Sequence, residues 1–130
     1  VKYHFCIYPS SILIKKIDLK KAFAKIKKEK ADSLIAVTDN KHFYRSLIKN
    51  RSKKTIKFKW NKHANKMSQK LPASFQDSGT FFIFKTKKYI LSNSTIPKNT
   101  IPYLIDKYKG IDLNSKDDLK ILKLAFRTFN

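Results

Sequence analysis

Glycine occurs only twice in 130 residues, at Gly79 and Gly110, and cysteine once, at Cys6. A loop that cradles phosphates through its backbone needs several closely spaced glycines, so this chain has no Walker or dinucleotide-binding loop. It also contains neither a G-x-S-x-G elbow nor an H-E-x-x-H helix. One cysteine excludes an intramolecular disulfide and a cysteine-based zinc cluster, and it fits a reducing cytoplasm. His4, His42 and His63 show no metal-ligand spacing. No apolar run approaches the roughly 18 residues of a membrane span.

Acidic residues are also scarce, 9 against 30 Lys and Arg, for a formal charge of +21. Such an excess points to anionic partners in general. Only Arg45, Arg51 and Arg127 are arginines, however, and the lysines are spread over almost every segment. Nucleic-acid recognition favours the planar guanidinium and a gathered basic stripe, so this pattern argues against nucleic acid. The alternative kept open is a basic module that binds polyanions on a degenerate scaffold, with salt-dependent affinity.

Enough apolar residues are present, 42% of the chain with 13% aromatic, to build the core of one compact domain. The segment "YHFCIYP" predicts a short buried strand ended by Pro9. Asp18 is then expected to cap a helix that places Leu19, Ala22, Phe23 and Ile26 on one face. "SLIAVT", residues 33 to 38, predicts a second buried strand. Strand, helix and strand in this order imply a βαβ unit with parallel strands.

The pattern then changes. "TIKFKW" alternates Ile56, Phe58 and Trp60 with polar residues, as in a ribbon with one covered and one wet face. Residues 61 to 74 are aperiodic and read as a loop. Asp77-Ser78-Gly79 predicts a tight turn into the buried strand "TFFIF", followed by a short helix from Lys85 to Leu91. "NTIPYLI" predicts a last strand. Ser115, with Asp118 three residues on, predicts a capped helix carrying Leu119, Leu122, Ala125, Phe126 and Phe129 on one face.

Few groups in this sequence suggest chemistry. Asp112 and Asn114 alternate in an extended segment, so both side chains can address one ligand or one Mg²⁺ at the carboxyl edge of a sheet. The competing reading is a turn that caps the following helix. Asp77 and Gly79 have the same ambiguity, and the phenylalanines of "TFFIF" read first as core.

Five segments in order, "CIYPSSILIKKIDLKKAF", "ADSLIAVT", "SQKLPASFQDSGTFFIFKTK", "NTIPYLI" and "YKGIDLNSKDDLKI", resemble the central and C-terminal parts of acylneuraminate (CMP-sialic acid) cytidylyltransferases. The likeness is greatest to the pseudaminic acid cytidylyltransferase branch and extends over nearly the whole chain. The resemblance implies an α/β, Rossmann-like nucleotide-diphospho-sugar transferase fold. It implies transfer of CMP from CTP to a nonulosonic acid with release of pyrophosphate, with Mg²⁺ as cofactor. Residues from about 40 to 75 would be the family's β-ribbon dimerisation arm within a single domain 1–130, and the protein would be a homodimer.

Position by position, the resemblance places Tyr8, Pro9 and Ser10 at the family's strand-end motif, with Ile12 replacing its second proline. Gln69 is kept as a substrate-binding position, whereas Lys70 and Met67 depart from the usual Asp and Arg. Asp77 and Gly79 match the Asp-Ala-Gly element, and Phe81 belongs to the aromatic strand on the sugar side. Asp112 matches the first metal-binding carboxylate, and Asn114 replaces the second, which lowers the charge offered to a hard cation. The family's opening strand and Gly- and Lys-rich CTP loop have no counterpart here. With Val1 in place of Met, the expectation is a truncated portion, inactive by itself.

Overall fold

The computed structural model describes residues 1–52 and 54–130. They form two compact units, Val1–Thr38 with Asp77–Asn130, and Asp39–Gln76. The first unit is mixed α/β. Its elements are β1 (Tyr3–Ile7), α1 (Lys16–Lys28), β2 (Ser33–Asp39), β5 (Phe75–Lys85), α2 (Thr86–Ser92), β6 (Thr100–Leu104) and α3 (Lys116–Phe129). The sheet order is β1-β5-β2-β6, with β1 antiparallel to β5 and β2 parallel to β6.

The expected βαβ unit is opened by an inserted strand, because β5 lies between β1 and β2. That position explains the burial pattern. The interior strand β2 is buried from Ser33 to Val37, and its residues divide by the pleat. Leu34 and Ala36 join Phe81, Ile83, Ala22 and Ile26 in one cluster, while Ile35 and Val37 meet Phe82 in another. Burying each large aliphatic or aromatic side chain of this kind stabilises the fold by roughly 1.5–3 kcal/mol. The outer strand β1 is not the buried strand its composition predicts. It sits at the sheet edge, and Phe5 and Ile7 remain exposed.

Asp18 caps the helix as expected, but from inside its first turn. The helix begins two residues before it, at Lys16, so Asp18 lies in the first turn, where its carboxylate accepts from Lys15 N at 2.9 Å. Its Oδ1 and Oδ2 each accept from Lys109 Nζ at 3.0 Å, and both side chains are largely buried. Burial opposes the charge of Lys109, but the hydrogen bond and attraction to Asp18 win, and its ammonium is held above the ordinary lysine range.

The triplet Asp77-Ser78-Gly79 is part of β5 and not a turn preceding it. Gly79 has φ +61° inside the strand, the left-handed conformation found at bulges, so the strand continues with a local kink. α2 ends at Asn93, which takes the left-handed cap conformation at φ +48°. α3 is capped as its sequence predicts, with Ser115 Oγ accepting from Asp118 N at 3.2 Å. Only Leu122 and Ala125 of its apolar face are buried, against Leu13, Tyr108 and Ile111. Leu119 and Phe126 stay exposed, and Phe129, though stacked on Tyr108 at 4.0 Å between ring centroids, is also exposed.

The second unit contains the segment read from sequence as an arm. β3 (Leu47–Lys49) and β4 (Ile56–Phe58) pair antiparallel, with Leu47 opposite Phe58 and Lys49 opposite Ile56. The alternation of "TIKFKW" does not yield one covered face within the unit, since Leu47, Ile48 and Ile56 are all exposed. Single-turn helices at Lys41–Arg45, Asn61–His63 and Ser68–Lys70 make up much of the remainder.

Removing one partner of the Asp18–Lys109 pair leaves the other charge buried and unmatched. Lys109→Met should therefore lower unfolding stability by roughly 3 kcal/mol in urea denaturation, and an Asp18→Asn, Lys109→Met double variant should recover part of that loss.

Candidate functional site

At the end of the sheet where β1 runs out, residues 8 to 14 turn back over β5. The turn is tied down at one carbonyl, since Thr80 O accepts both from Tyr8 N at 2.8 Å and from Ser11 Oγ at 2.7 Å. A further bond from Ser11 N to Tyr8 O, at 3.0 Å, closes it. Pro9 has no N–H to extend the ladder, and the buried Ser11 hydroxyl adds a second bond to the carbonyl that already receives Tyr8 N.

On the neighbouring stretch of β5, Ser78 points inward and Asp77 and Gly79 face out. Ser78 Oγ donates to Ala36 O and shares a hydrogen bond with Thr80 Oγ1, each at 2.7 Å. Gly79 N donates to Asp77 Oδ1 at 2.9 Å, which fixes that carboxylate over the kink. The loop before α3 then closes the site. A Cβ placed on Gly110 would lie 2.7 Å from Thr38 Cγ2 and 3.1 Å from Ser78 Cβ. A Cβ on Gly79 would lie 3.1 Å from Asp112 Oδ1. Each glycine therefore lets one backbone approach side chains of the other segment closely.

The result is a cavity of about 330 Å³ lined by Tyr8, Pro9, Ser10, Asp77, Gly79 and Asp112. Five of the residues singled out from sequence, Tyr8, Ser10, Asp77, Gly79 and Asp112, are thus together. Burial, reinforced by Cys6, Asp77 and Asp112, pushes the Tyr8 phenol above its ordinary value, so it is a neutral O–H donor at neutral pH. Among the described residues neither Asp77 nor Asp112 has a Lys or Arg within ion-pair distance, in a chain that carries 30 such cations. Among the same residues Asp18, Glu29, Asp32 and Asp117 are ion-paired, whereas Asp39, Asp106 and Asp118 share the unpaired state of Asp77 and Asp112 but lie outside the cavity.

The other sequence-predicted positions lie elsewhere or act differently. Phe81 is fully buried in the core with Leu34 and Ile83, so its ring is not part of the cavity wall. Gln69 is exposed on the Ser68–Lys70 turn of the second unit. Asn114 does meet Asp112, but through its amide nitrogen: Nδ2 donates to Asp112 Oδ2 at 2.8 Å. Its backbone N donates to Asp118 Oδ2, and with the Ser115 hydroxyl as the larger cause this holds the Asp118 carboxyl below the usual range.

Sequence reasoning passed over Thr38, Ser11, Thr80 and Gly110. The signal for Gly110 was its rarity, since both glycines of the chain lie at this one site. No sequence pattern marked the hydroxyl residues.

No family model matches the chain. It is 22% identical over 123 residues, 94% of its own length, to the pseudaminic acid cytidylyltransferase of Campylobacter jejuni subsp. jejuni. The same enzyme from a second strain matches at the same identity and coverage. It is 27% identical over 114 residues, 87% of its length, to the post-translational flagellin modification protein B of Campylobacter coli. The chain spans 53% and 48% of those relatives, about half their length. These matches support a distant cytidylyltransferase relationship. Among the described residues no helix is long and apolar enough to cross a membrane.

The two glycine contacts can be tested separately. Gly110→Ala should destabilise the protein by about 1–3 kcal/mol through overpacking, and Thr38→Ser, which removes the nearest methyl, should restore part of that in a double-mutant cycle of thermal unfolding. Gly79→Ala places a side chain at positive φ and should cost about 1–2 kcal/mol with no rescue from Thr38→Ser.

Proposed function

We propose that this chain carries the sugar-acid and metal side of a site that transfers CMP from CTP to a nonulosonic acid, on a Rossmann-like nucleotide-diphospho-sugar transferase scaffold. The observation that carries the reading is the pair of carboxylates, Asp77 and Asp112, kept free of basic partners in one cavity with a tyrosine and a serine hydroxyl. The names of the distant relatives give the chemistry. In that reaction the sugar hydroxyl oxygen bonds to the α-phosphorus of CTP, the bond from that phosphorus to the β-phosphate bridging oxygen breaks, and the hydroxyl proton leaves. The products are the CMP-sugar and pyrophosphate.

The donor set accords with Mg²⁺ held by one or two carboxylates together with substrate oxygens, the usual arrangement for this ion. Among the described residues no three His, Cys, Asp or Glu side chains form a cage, so the protein's share is small. Asp112 is the ligand in this reading, and Asn114 orients it by donating to Oδ2, leaving Oδ1 toward Gly79. When bound, the ion would neutralise charge on the phosphates. Tyr8 and Ser10 offer hydroxyl donors to the sugar acid, and Gly79 lets it approach the strand backbone. The lining residues include no Lys or Arg, so in this reading the charge of a bound sugar acid is met by the metal and the hydroxyl donors.

The second unit is the dimerisation arm in this reading. Its ribbon exposes Leu47, Ile48 and Ile56, and a second copy would cover them.

The two glycines make a sparing test possible. In protein labelled with ¹⁵N at glycine only, the backbone signals of Gly79 and Gly110 should both move, saturably, on titration with a nonulosonic acid in the presence of Mg²⁺. Asp112→Ala should weaken the Mg²⁺-dependent part at least tenfold, about 1.4 kcal/mol. Absence of any movement at millimolar sugar acid would sink the proposal.

A further inference from the structure

In the second unit, Asp39–Gln76, the residues with buried side chains among those described are His63 and Leu71. His63 is only 4% exposed, and its Nδ1 has no hydrogen-bond partner. Around it is an aromatic cluster. The Tyr44 ring lies 4.8 Å from the imidazole, Trp60 lies 5.8 Å from Tyr44, and Phe43 lies 4.4 Å from Trp60. Lys59 Nζ sits 4.6 Å from the Trp60 ring centroid. The main chain joins the same residues, since His63 N donates to Trp60 O at 3.0 Å and Lys66 N to His63 O at 3.2 Å.

A buried imidazole nitrogen without a partner is tolerable while the ring is neutral. It becomes costly when the ring is charged. Among the described residues no carboxylate lies within ion-pair distance of His63. The groups facing His63 are the neutral Tyr44 phenol from the Lys41–Arg45 turn, and Lys62 and Lys66 from its own segment. By sequence the whole unit holds a single acidic residue, Asp39, against eleven Lys and Arg.

We propose that His63 is an acid-sensitive latch for the second unit: neutral, it packs on Tyr44 at one end of the Phe43–Tyr44–Trp60 cluster, and protonated, it leaves that place and loosens the Trp60–Lys66 segment. Burial, with Lys66 and then Lys62 adding to it, lowers the pKa of His63 from the ordinary histidine value. The sign follows from linkage. The unfolded segment binds the proton more readily than the folded one, so the stability His63 contributes is fully present above the ordinary value of about 6.5. It declines as pH falls below that value and levels off beneath the folded-state pKa. The latch is independent of the cytidylyltransferase reading, because it needs no substrate.

Trp60 is the single tryptophan, so its fluorescence reports this cluster alone. Titrating the intact chain from about pH 8 to about pH 4.5 should give a reversible change in Trp60 emission with a midpoint below 6.5, before global unfolding seen by far-ultraviolet circular dichroism. His63→Phe, which keeps an aromatic ring, and His63→Gln should each flatten that change. The same transition in both variants would assign it to another group and overturn the proposal. Should neither variant fold, NMR of the His63 ring in the unaltered protein decides. Titration below the ordinary range together with the Trp60 change supports the latch, and titration in the ordinary range, or without any Trp60 change, refutes it.

Discussion

The contact on which the candidate site depends is the approach of the Gly110 loop to Thr38 and Ser78. A side chain of any kind at Gly110 would meet Thr38 Cγ2 at 2.7 Å, closer than carbon atoms tolerate. With hydrogen there instead, the loop lies against the sheet, and two residues later Asp112 arrives over Gly79. Gly79 in turn must lack a Cβ, both for its φ of +61° and for the nearby Asp112 carboxylate. The cavity is thus a consequence of two absent methyl groups, one on each of the segments that meet.

Electrostatics reinforces this arrangement from below. Lys109 immediately precedes Gly110 and is bound to both oxygens of Asp18 on α1. A largely buried ion pair of this kind is weak as a source of net stability, because desolvation consumes much of the attraction. Its value is geometric, since the loop has one position at which Lys109 is matched. At the opposite end of β5, Asp32 holds Lys85 at 3.1 Å and Lys88 at 3.7 Å. Asp18 and Asp32 thus anchor elements through lysines distant in sequence, a task that Asp77 and Asp112 in the cavity do not share.

Much of the fold was legible in the residues because periodicity and caps are local. α2, α3 with its Ser115 cap, β2 and β6 all follow from runs of a few residues. The misreadings share one cause, which is that burial is not local. "YHFCIYP" has a core composition, yet β1 is an edge strand. Asp18 does accept from Lys15 N as a capping residue would, but its ion pair with Lys109, 91 positions away, is invisible in the local sequence. Asp77-Ser78-Gly79 has the chemistry of a turn, yet it lies within β5, and the positive φ of Gly79 persists inside the strand. Phe81 is placed beside a sugar pocket by resemblance, yet its ring is fully buried in the core.

By itself the amino-acid sequence determined the type of most elements, the excess of positive charge, the rarity of glycine and of carboxylates, and which polar residues were worth following. Only the tertiary structure decided that Tyr8, Ser10, Asp77 and Asp112 share a cavity, that Asn114 turns its amide nitrogen to Asp112, and that His63 is enclosed without a partner. Those facts depend on segments 30 to 100 positions apart meeting at atomic distance, or on a side chain losing water. Neither leaves a mark in the order of neighbouring residues, because the free energy that selects them comes from packing across the chain and not along it.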